Sequence, residues 1–391
     1  MRKLLILLLS TSLAVIPFSM KASAKEAEQP TQLAQKALSA VLIEQDTGTI
    51  LFDKNSDKKL PPASMTKIMT MLIIMEKIEK GALKLTDKVR TSEHAASMGG
   101  SQIFLEAGEE MTLHEMIKGI AIASGNDAAV AVAEKIAGTE EAFVEMMNKR
   151  AAKLGLKNTH FINPTGLPAQ GHYSTAHDMA IMAQELLKHP LITKYTSIYE
   201  DYLRQNTDKK FWLVNTNKLV KFYPGVDGLK TGFTVEAKYC LTATAKKNGM
   251  RVIAVVMGAP TSKERNEEIT KMLDFSFSQY KINSLYKKSD KIDTIKVSKG
   301  SKQKVDVIAK DNVSLVTKSD TSLKNVTKEI QLDKSVKAPV KKGEVLGKLV
   351  IKKGGKSLTS VPLIAKEAID DASFLQLMKR SMSFMTMSNS N

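Results

Sequence analysis

The chain has 391 residues, of which 43% are hydrophobic and 25% charged, with a net charge of +17. That length allows two or three domains with a sizeable core, and the apolar share argues against both a disordered chain and a polytopic membrane protein. The charge is uneven: residues 281–365 hold 20 lysines against 8 acidic side chains, whereas residues 25–280 are close to neutral at +2.

Arg2 and Lys3, the apolar stretch from Leu4 to Phe18, and Ala22-Ser23-Ala24 read as an export signal over residues 1–24. The apolar stretch is short for a bilayer span, although a retained N-terminal anchor is the alternative. For an exported protein the anionic partners of a basic region are phospholipid headgroups and wall polymers, not nucleic acid. A merely soluble lysine-rich surface is the plainer reading of the same charge.

Ala40 to Glu44, Asp46-Thr47-Gly48 and Thr49 to Phe52 predict a β-hairpin, which Pro61-Pro62 ends. Ile68 to Met75 is apolar on every face and predicts a helix buried at a domain centre. Helical patterns continue to about residue 190. Among them, Thr175-Ala176-His177-Asp178 reads as a capping box opening a helix through Met182. Cys240–Ala245 and Arg251–Met257 predict a strand pair around Lys247-Asn248-Gly249, and Glu264 to Tyr280 a helix that closes a domain of residues 25–280. Cys240 is the sole cysteine, so no intramolecular disulfide forms, and its strand-like setting predicts a buried apolar thiol.

Beyond Tyr280 the texture changes to short alternating runs such as Ile295-Lys296-Val297 and Val305-Asp306-Val307-Ile308. With turn signals at Lys342-Gly343-Glu344 and Lys353-Gly354-Gly355, residues 281–365 predict a small, basic all-β domain. Residues 366–391 predict an amphipathic helix, with Phe374, Leu375, Met378, Met382 and Met385 near one face and Lys379 and Arg380 away from it. It is too short and polar to span a bilayer, and either lies on an anionic membrane surface or packs on the β domain.

Three short motifs carry chemistry. Ser64-Met65-Thr66-Lys67 opens the buried helix, and its spacing of three sets a lysine amine one turn from a serine hydroxyl. A serine becomes nucleophilic when a neighbouring base takes its proton, and a desolvated lysine is such a base. Ser56…Lys59, Ser284…Lys287 and Ser301…Lys304 share the spacing but sit in polar, lysine-rich surroundings. Ser124-Gly125-Asn126 supplies a second hydroxyl and a side-chain amide just before a helix start, where a simple helix cap is the bland alternative. Lys230-Thr231-Gly232 supplies a cation and a hydroxyl for a carboxylate, beside a glycine that permits close backbone approach; an ordinary turn is the alternative there.

Ser-x-x-Lys, Ser-x-Asn and Lys-Thr-Gly in this order are the signature of penicillin-binding proteins and class A β-lactamases. With Pro62 to Thr70, Ile122 to Ala128, Asn163-Pro164-Thr165-Gly166-Leu167 and Gly228 to Thr234 as they stand, the chain resembles the low-molecular-mass D-alanyl-D-alanine carboxypeptidases of the S11 serine peptidases. Its likeness extends through the β domain and tail, and His94 to Ser101 points to the sporulation-associated subtype.

That resemblance implies an α+β fold, an antiparallel sheet flanked by helices, with Ser64 at a helix start and Lys230 on an edge strand. It implies an acyl-enzyme on Ser64, Lys67 as base, Ser124 as proton relay and Asn126 positioning the peptide. Lys230, Thr231 and Gly232 would receive the terminal carboxylate, and Arg251 would add positive charge near it. Backbone N–H groups of Ser64 and of the Lys-Thr-Gly strand would form the oxyanion hole. The implied partners are peptidoglycan stem peptides ending in D-Ala-D-Ala and β-lactams, with no cofactor and no metal. The implied location is extracytoplasmic and peripheral to the membrane or wall.

A Ser-His-Asp hydrolase is disfavoured because no Gly-x-Ser-x-Gly elbow is present, and a zinc peptidase because no His-Glu-x-x-His is. A class A β-lactamase is disfavoured by the extra β domain and the lack of a deacylating acidic segment. A D,D-endopeptidase or transpeptidase of the same fold, and a non-enzymatic penicillin-binding scaffold, remain open.

Overall fold

The computed structural model describes residues 32–321 and 324–380; the expected export signal, Met382 and Met385 lie outside them. In chain order the first part comprises β1 (Ser39–Glu44), β2 (Ile50–Lys54), a 3-10 turn at Ala63–Thr66, α1 (Lys67–Glu79), β3 (Lys88–Arg90), α2 (Glu93–Ala96), β4 (Glu110–Thr112), α3 (Leu113–Ile122), α4 (Asn126–Ala137) and α5 (Glu140–Lys153). There follow α6 (Ala176–Leu186), α7 (Thr193–Thr196), β5 (Glu200–Leu203), β6 (Phe211–Val214), α8 (Leu219–Phe222), β7 (Val226–Thr234), β8 (Lys238–Lys247), β9 (Met250–Ala259) and α9 (Ser262–Gln279).

An antiparallel sheet in the order β2-β1-β9-β8-β7 divides this part into two cores. Side chains alternate across a strand, so Val41 and Ile43 of β1 join the core beneath α1 and α3 to α6, while Ala40 and Leu42 join the one beneath α9. From Lys67 to Met75 every residue of α1 is buried, as the all-round apolar run from Ile68 requires, with the Thr70 hydroxyl satisfied by the Pro164 carbonyl. Asn248 and Gly249, at φ +50° and +81°, make the tight β8–β9 turn that Asn-Gly favours. Thr175 caps α6 by accepting from Asp178 N–H, but the Asp178 carboxylate accepts from Asn158 N–H and the Thr159 hydroxyl, so only half of the expected capping box forms.

α9 runs directly into β10 (Tyr280–Tyr286), and the remaining strands are β11 (Lys291–Ser298), β12 (Lys304–Ala309), β13 (Val313–Lys318), β14 (Val326–Leu332), β15 (Ser335–Lys337), β16 (Val345–Lys353) and β17 (Lys356–Ala365). They form a sheet in the order β14-β16-β17-β12-β11-β15 and a β10–β13 pair. The period of two sends Ile295 and Val297 of β11, and Val305 and Val307 of β12, into one core, leaving Lys296 and Lys304 in solvent.

The tail departs from expectation in where its helix begins. Residues 366–372 belong to the β domain: Ile369 is buried in its core and bridges Val340, and Asp371 bridges Gly300. Helix starts only at 374, because an extended segment with a buried isoleucine is already paired to neighbouring backbone. Phe374, Leu375 and Met378 are exposed there, and Arg380 donates to the carbonyls of Gly300 and Ser301.

Candidate active site

Ser64 lies in the 3-10 turn that feeds α1, closed by Met65 N–H donating to the Pro62 carbonyl at 3.2 Å. Two glycines let other segments reach this turn. A Cβ on Gly232 would stand 2.7 Å from the Pro62 oxygen, so only glycine lets β7 lie against the nucleophile. Gly166 has φ +86°, and a Cβ there would meet the Ala63 oxygen at 1.8 Å. The Asn163–Leu167 loop is therefore pressed beneath Ser64. Asn163 shapes it by accepting from the N–H groups of Thr165 and Gly166.

Lys67 is fully buried, with Nζ 3.0 Å from Ser64 Oγ, 2.6 Å from Asn126 Oδ1 and 2.8 Å from the Thr165 carbonyl. Burial depresses its pKa well below the ordinary lysine range; the nearby positive charge of Lys230 acts in the same direction, and Asp127 opposes both. The geometry has a chemical consequence. A neutral amine has two N–H donors and one lone pair, and the oxygens of Asn126 and Thr165 can only accept. In the charged form Lys67 donates to all three oxygens, Ser64 Oγ included; once the amine is neutral, Asn126 and Thr165 can take its two donors, and its lone pair is then free to face the Ser64 hydroxyl.

The Ser124-Gly125-Asn126 segment joins α3 to α4. Ser124 is buried with φ +67°, and Gly125 occupies the N-cap without a side-chain bond, so Ser124 is not the cap of α4. Asn126 also donates through Nδ2 to the Gly99 carbonyl at 2.6 Å, and its backbone N–H reaches the Ser101 carbonyl. The buried carboxylate of Asp127 accepts from the N–H groups of Ile103 and Leu105, fixing the loop after Ser101.

Lys230 and Thr231 lie on β7 at the sheet edge. The Lys230 ammonium is buried, donates to the Thr231 carbonyl at 3.0 Å, and has its pKa lowered to about 7, first by burial and then by the Arg265 charge. The Thr231 hydroxyl donates to the Thr216 hydroxyl at 2.7 Å.

Arg251 is not part of this group. It forms a bidentate pair with Asp227, at 2.6 and 2.7 Å, and also donates to the Thr244 hydroxyl. In register it stands opposite Lys246, whereas Lys230 stands opposite Thr242. That offset is roughly 13 Å along the strand. The arginine whose charge does act on Lys230 is Arg265, in the first turns of α9 and only 5% exposed.

Sequence reasoning missed Arg265 because, between Glu264 and Asn266 at a helix start, it looks like a solvated charge. It named the Asn163–Leu167 segment but gave Thr165 no role, because that residue contributes a backbone carbonyl, and it missed Thr216 because a loop threonine has no distinguishing pattern. Asp127 could have been found, since a carboxylate directly after Asn126 in an apolar segment calls for buried donors.

Residues 23–261 match the family profile described as D-alanyl-D-alanine carboxypeptidase, and residues 280–371 that of the penicillin-binding protein 5 C-terminal domain. The chain is 59% identical to D-alanyl-D-alanine carboxypeptidase DacF of Bacillus subtilis over 98% of both chains. It is similar to penicillin-binding protein 5 from Haemophilus influenzae at 33% identity, with a TM-score of 0.71 over 88% of this chain and 100% of that one. Penicillin-binding protein D2 from Listeria monocytogenes in its ampicillin-bound form aligns at 30% identity and TM-score 0.57, over 64% of this chain and 100% of that one.

Proposed function

The chain belongs to the D-alanyl-D-alanine carboxypeptidase family and is a serine-type D-alanyl-D-alanine carboxypeptidase; from that premise we propose how its residues divide the reaction. Ser64 Oγ attacks the carbonyl carbon between the two D-alanines while its proton passes to the Lys67 amine. The C–N bond then breaks. The proton travels from Lys67 through Ser124 to the departing nitrogen, D-alanine leaves, and an ester remains on Ser64. Water attacks this ester by the same route, giving its proton to Lys67 and restoring the Ser64 hydroxyl.

The observation that carries this reading is the 3.0 Å approach of the buried Lys67 Nζ to Ser64 Oγ, with Asn126 and Thr165 accepting from the same nitrogen. The N–H of Ser64 and one from β7, which Gly232 brings against the turn, would receive the oxyanion. Lys230 and Thr231 would hold the terminal carboxylate, with Arg265 adding field beside them. Asn126 would meet the peptide through whatever of its amide Lys67 and Gly99 leave available.

Intact-mass measurement after penicillin treatment tests the nucleophile: one adduct on wild type and none on Ser64→Ala is expected, and an adduct surviving in the variant overturns the assignment. Release of D-alanine from a pentapeptide, with and without an amine acceptor, separates hydrolysis from transpeptidation.

The reading extends to organisation and place. Residues 25–280 would act as the catalytic domain and 281–365 as a basic β module, with the tail on the extracytoplasmic membrane surface after removal of residues 1–24. The exposed Phe374, Leu375 and Met378 support a peripheral attachment. Likeness to the DacF type supports a sporulation-associated role; equal transcript levels in vegetative and sporulating cultures would exclude it.

A further inference from the structure

Asn215 and Asn217 are both buried and bolt one loop in place. Asn215 donates to the carbonyls of Thr196 and Ile198 and accepts from Asn217 N–H. Asn217 donates to the Gly228 carbonyl on β7 and accepts from Leu219 N–H. Thr216, held rigidly between them, donates its backbone N–H to the carbonyl of Ile122, two residues before Ser124. Its hydroxyl is the partner of the Thr231 hydroxyl at 2.7 Å. One partly exposed threonine thus ties the segment carrying Ser124 to the strand carrying Lys230 and Thr231.

We propose that Thr216 is a positioning residue for carboxylate recognition, setting the direction in which Thr231 offers its hydroxyl proton. The inference rests on the reading that Thr231 meets the substrate carboxylate. A hydroxyl has one proton and two acceptor sites. In the free site Thr231 gives its proton to Thr216. When a carboxylate arrives, that proton turns to it, and Thr231 is left with an acceptor site facing Thr216. The Thr216 hydroxyl then reverses and donates back, so neither oxygen loses a partner and the acceptor end of Thr231 stays fixed. Without Thr216 the Thr231 hydroxyl rotates freely and must be ordered by the substrate.

The test compares a D-Ala-D-Ala pentapeptide with its C-terminal amide in the full-length enzyme. Thr216→Val, which keeps the backbone bond to Ile122, is expected to lower kcat/KM for the free carboxylate by about three- to tenfold, the worth of one neutral hydrogen bond. The amide should change far less, and Thr216→Ser should restore the loss. The same loss should vanish when Thr231 is already valine, because Thr216 acts only through it. If Thr216→Val folds poorly by thermal melting, Thr216→Ala against Thr216→Ser gives the same contrast. Equal losses on both substrates, or an undiminished loss in the Thr231→Val background, overturn the proposal. If Thr231→Val itself fails to distinguish acid from amide, the carboxylate reading of Thr231 falls first, and this inference with it.

Discussion

Lysine does opposite work in the two halves of this molecule. In the catalytic half, Lys67 and Lys230 are almost wholly buried, and desolvation moves their proton affinities toward the range where chemistry happens. In the β half, lysines alternate with core aliphatics along the strands and point into water. There they pair at the surface, as Lys291 does with Asp306 and Lys302 with Glu367. A buried ammonium needs dedicated acceptors, and the fold supplies Asn126 and the Thr165 and Thr231 carbonyls for two of them. An exposed one needs nothing, and exposed pairs are worth little. The contrast teaches that lysine count measures field, and that burial marks function where no carboxylate pairs the lysine, unlike the buried Lys118, which is tied to Asp201 and the Tyr202 carbonyl.

The sharpest way to break this comparison is to remove the buried base. Lys67→Ala should reduce acylation by penicillin by about 10²- to 10⁴-fold, the range for a positioned proton acceptor. Stopped-flow acylation rates would show it, and a change of only a few fold would mean that another group takes the Ser64 proton. Lys230→Gln should cost about ten- to a hundredfold on peptides with a free carboxylate, the range of a charge-assisted contact. It should cost much less on amidated ones, and parallel losses on the two substrates would reduce Lys230 to a structural lysine.

A pH profile sharpens the same point. Lys67 acts as base only when neutral, so kcat/KM rises as pH increases through its depressed pKa. Lys230 holds a carboxylate only when charged, and with a pKa of about 7 against an ordinary 10.5 it loses that charge as pH rises through neutrality. The free-acid peptide should therefore show a falling limb near pH 7 that the amidated peptide lacks. Identical falling limbs would detach that ionisation from carboxylate binding.

These buried lysines were legible in the sequence because each sits in a motif whose spacing is fixed by one element: a single helical turn for Ser64 and Lys67, one strand for Lys230 to Gly232. What escaped was set by register and by backbone. Arg251 looked close to the Lys-Thr-Gly strand, but the β7–β8–β9 register carries it to Asp227 at the far end. Arg265 reaches the site because α9 crosses the sheet, a packing fact that no local pattern encodes. The hairpins, the buried α1 and the β domain were readable from periodicity. The late start of the tail helix was not, because the pairing of Ile369 with Val340 depends on a segment almost thirty residues away.

The smallest effects should come from the exposed lysines, and they test whether field or helix holds the protein to a surface. Lys296 of β11 stands directly opposite Lys304 of β12, two like charges on one face of the sheet. Such a pair is destabilising, so Lys304→Glu should raise stability by about 0.2–1 kcal/mol in denaturant unfolding. Because lysines spread around a β domain cannot all face one bilayer, the same change should weaken sedimentation with anionic vesicles only slightly. Deleting residues 374–391, which spares Ile369 and the pairing of residues 366–372, should abolish sedimentation if the exposed Phe374, Leu375 and Met378 are the attachment. Release of D-alanine from soluble peptides should be unchanged by either alteration, since neither touches the buried pair of lysines. A truncated protein that still sediments would move the attachment to the basic strands, and Lys304→Glu should then weaken it far more than expected here.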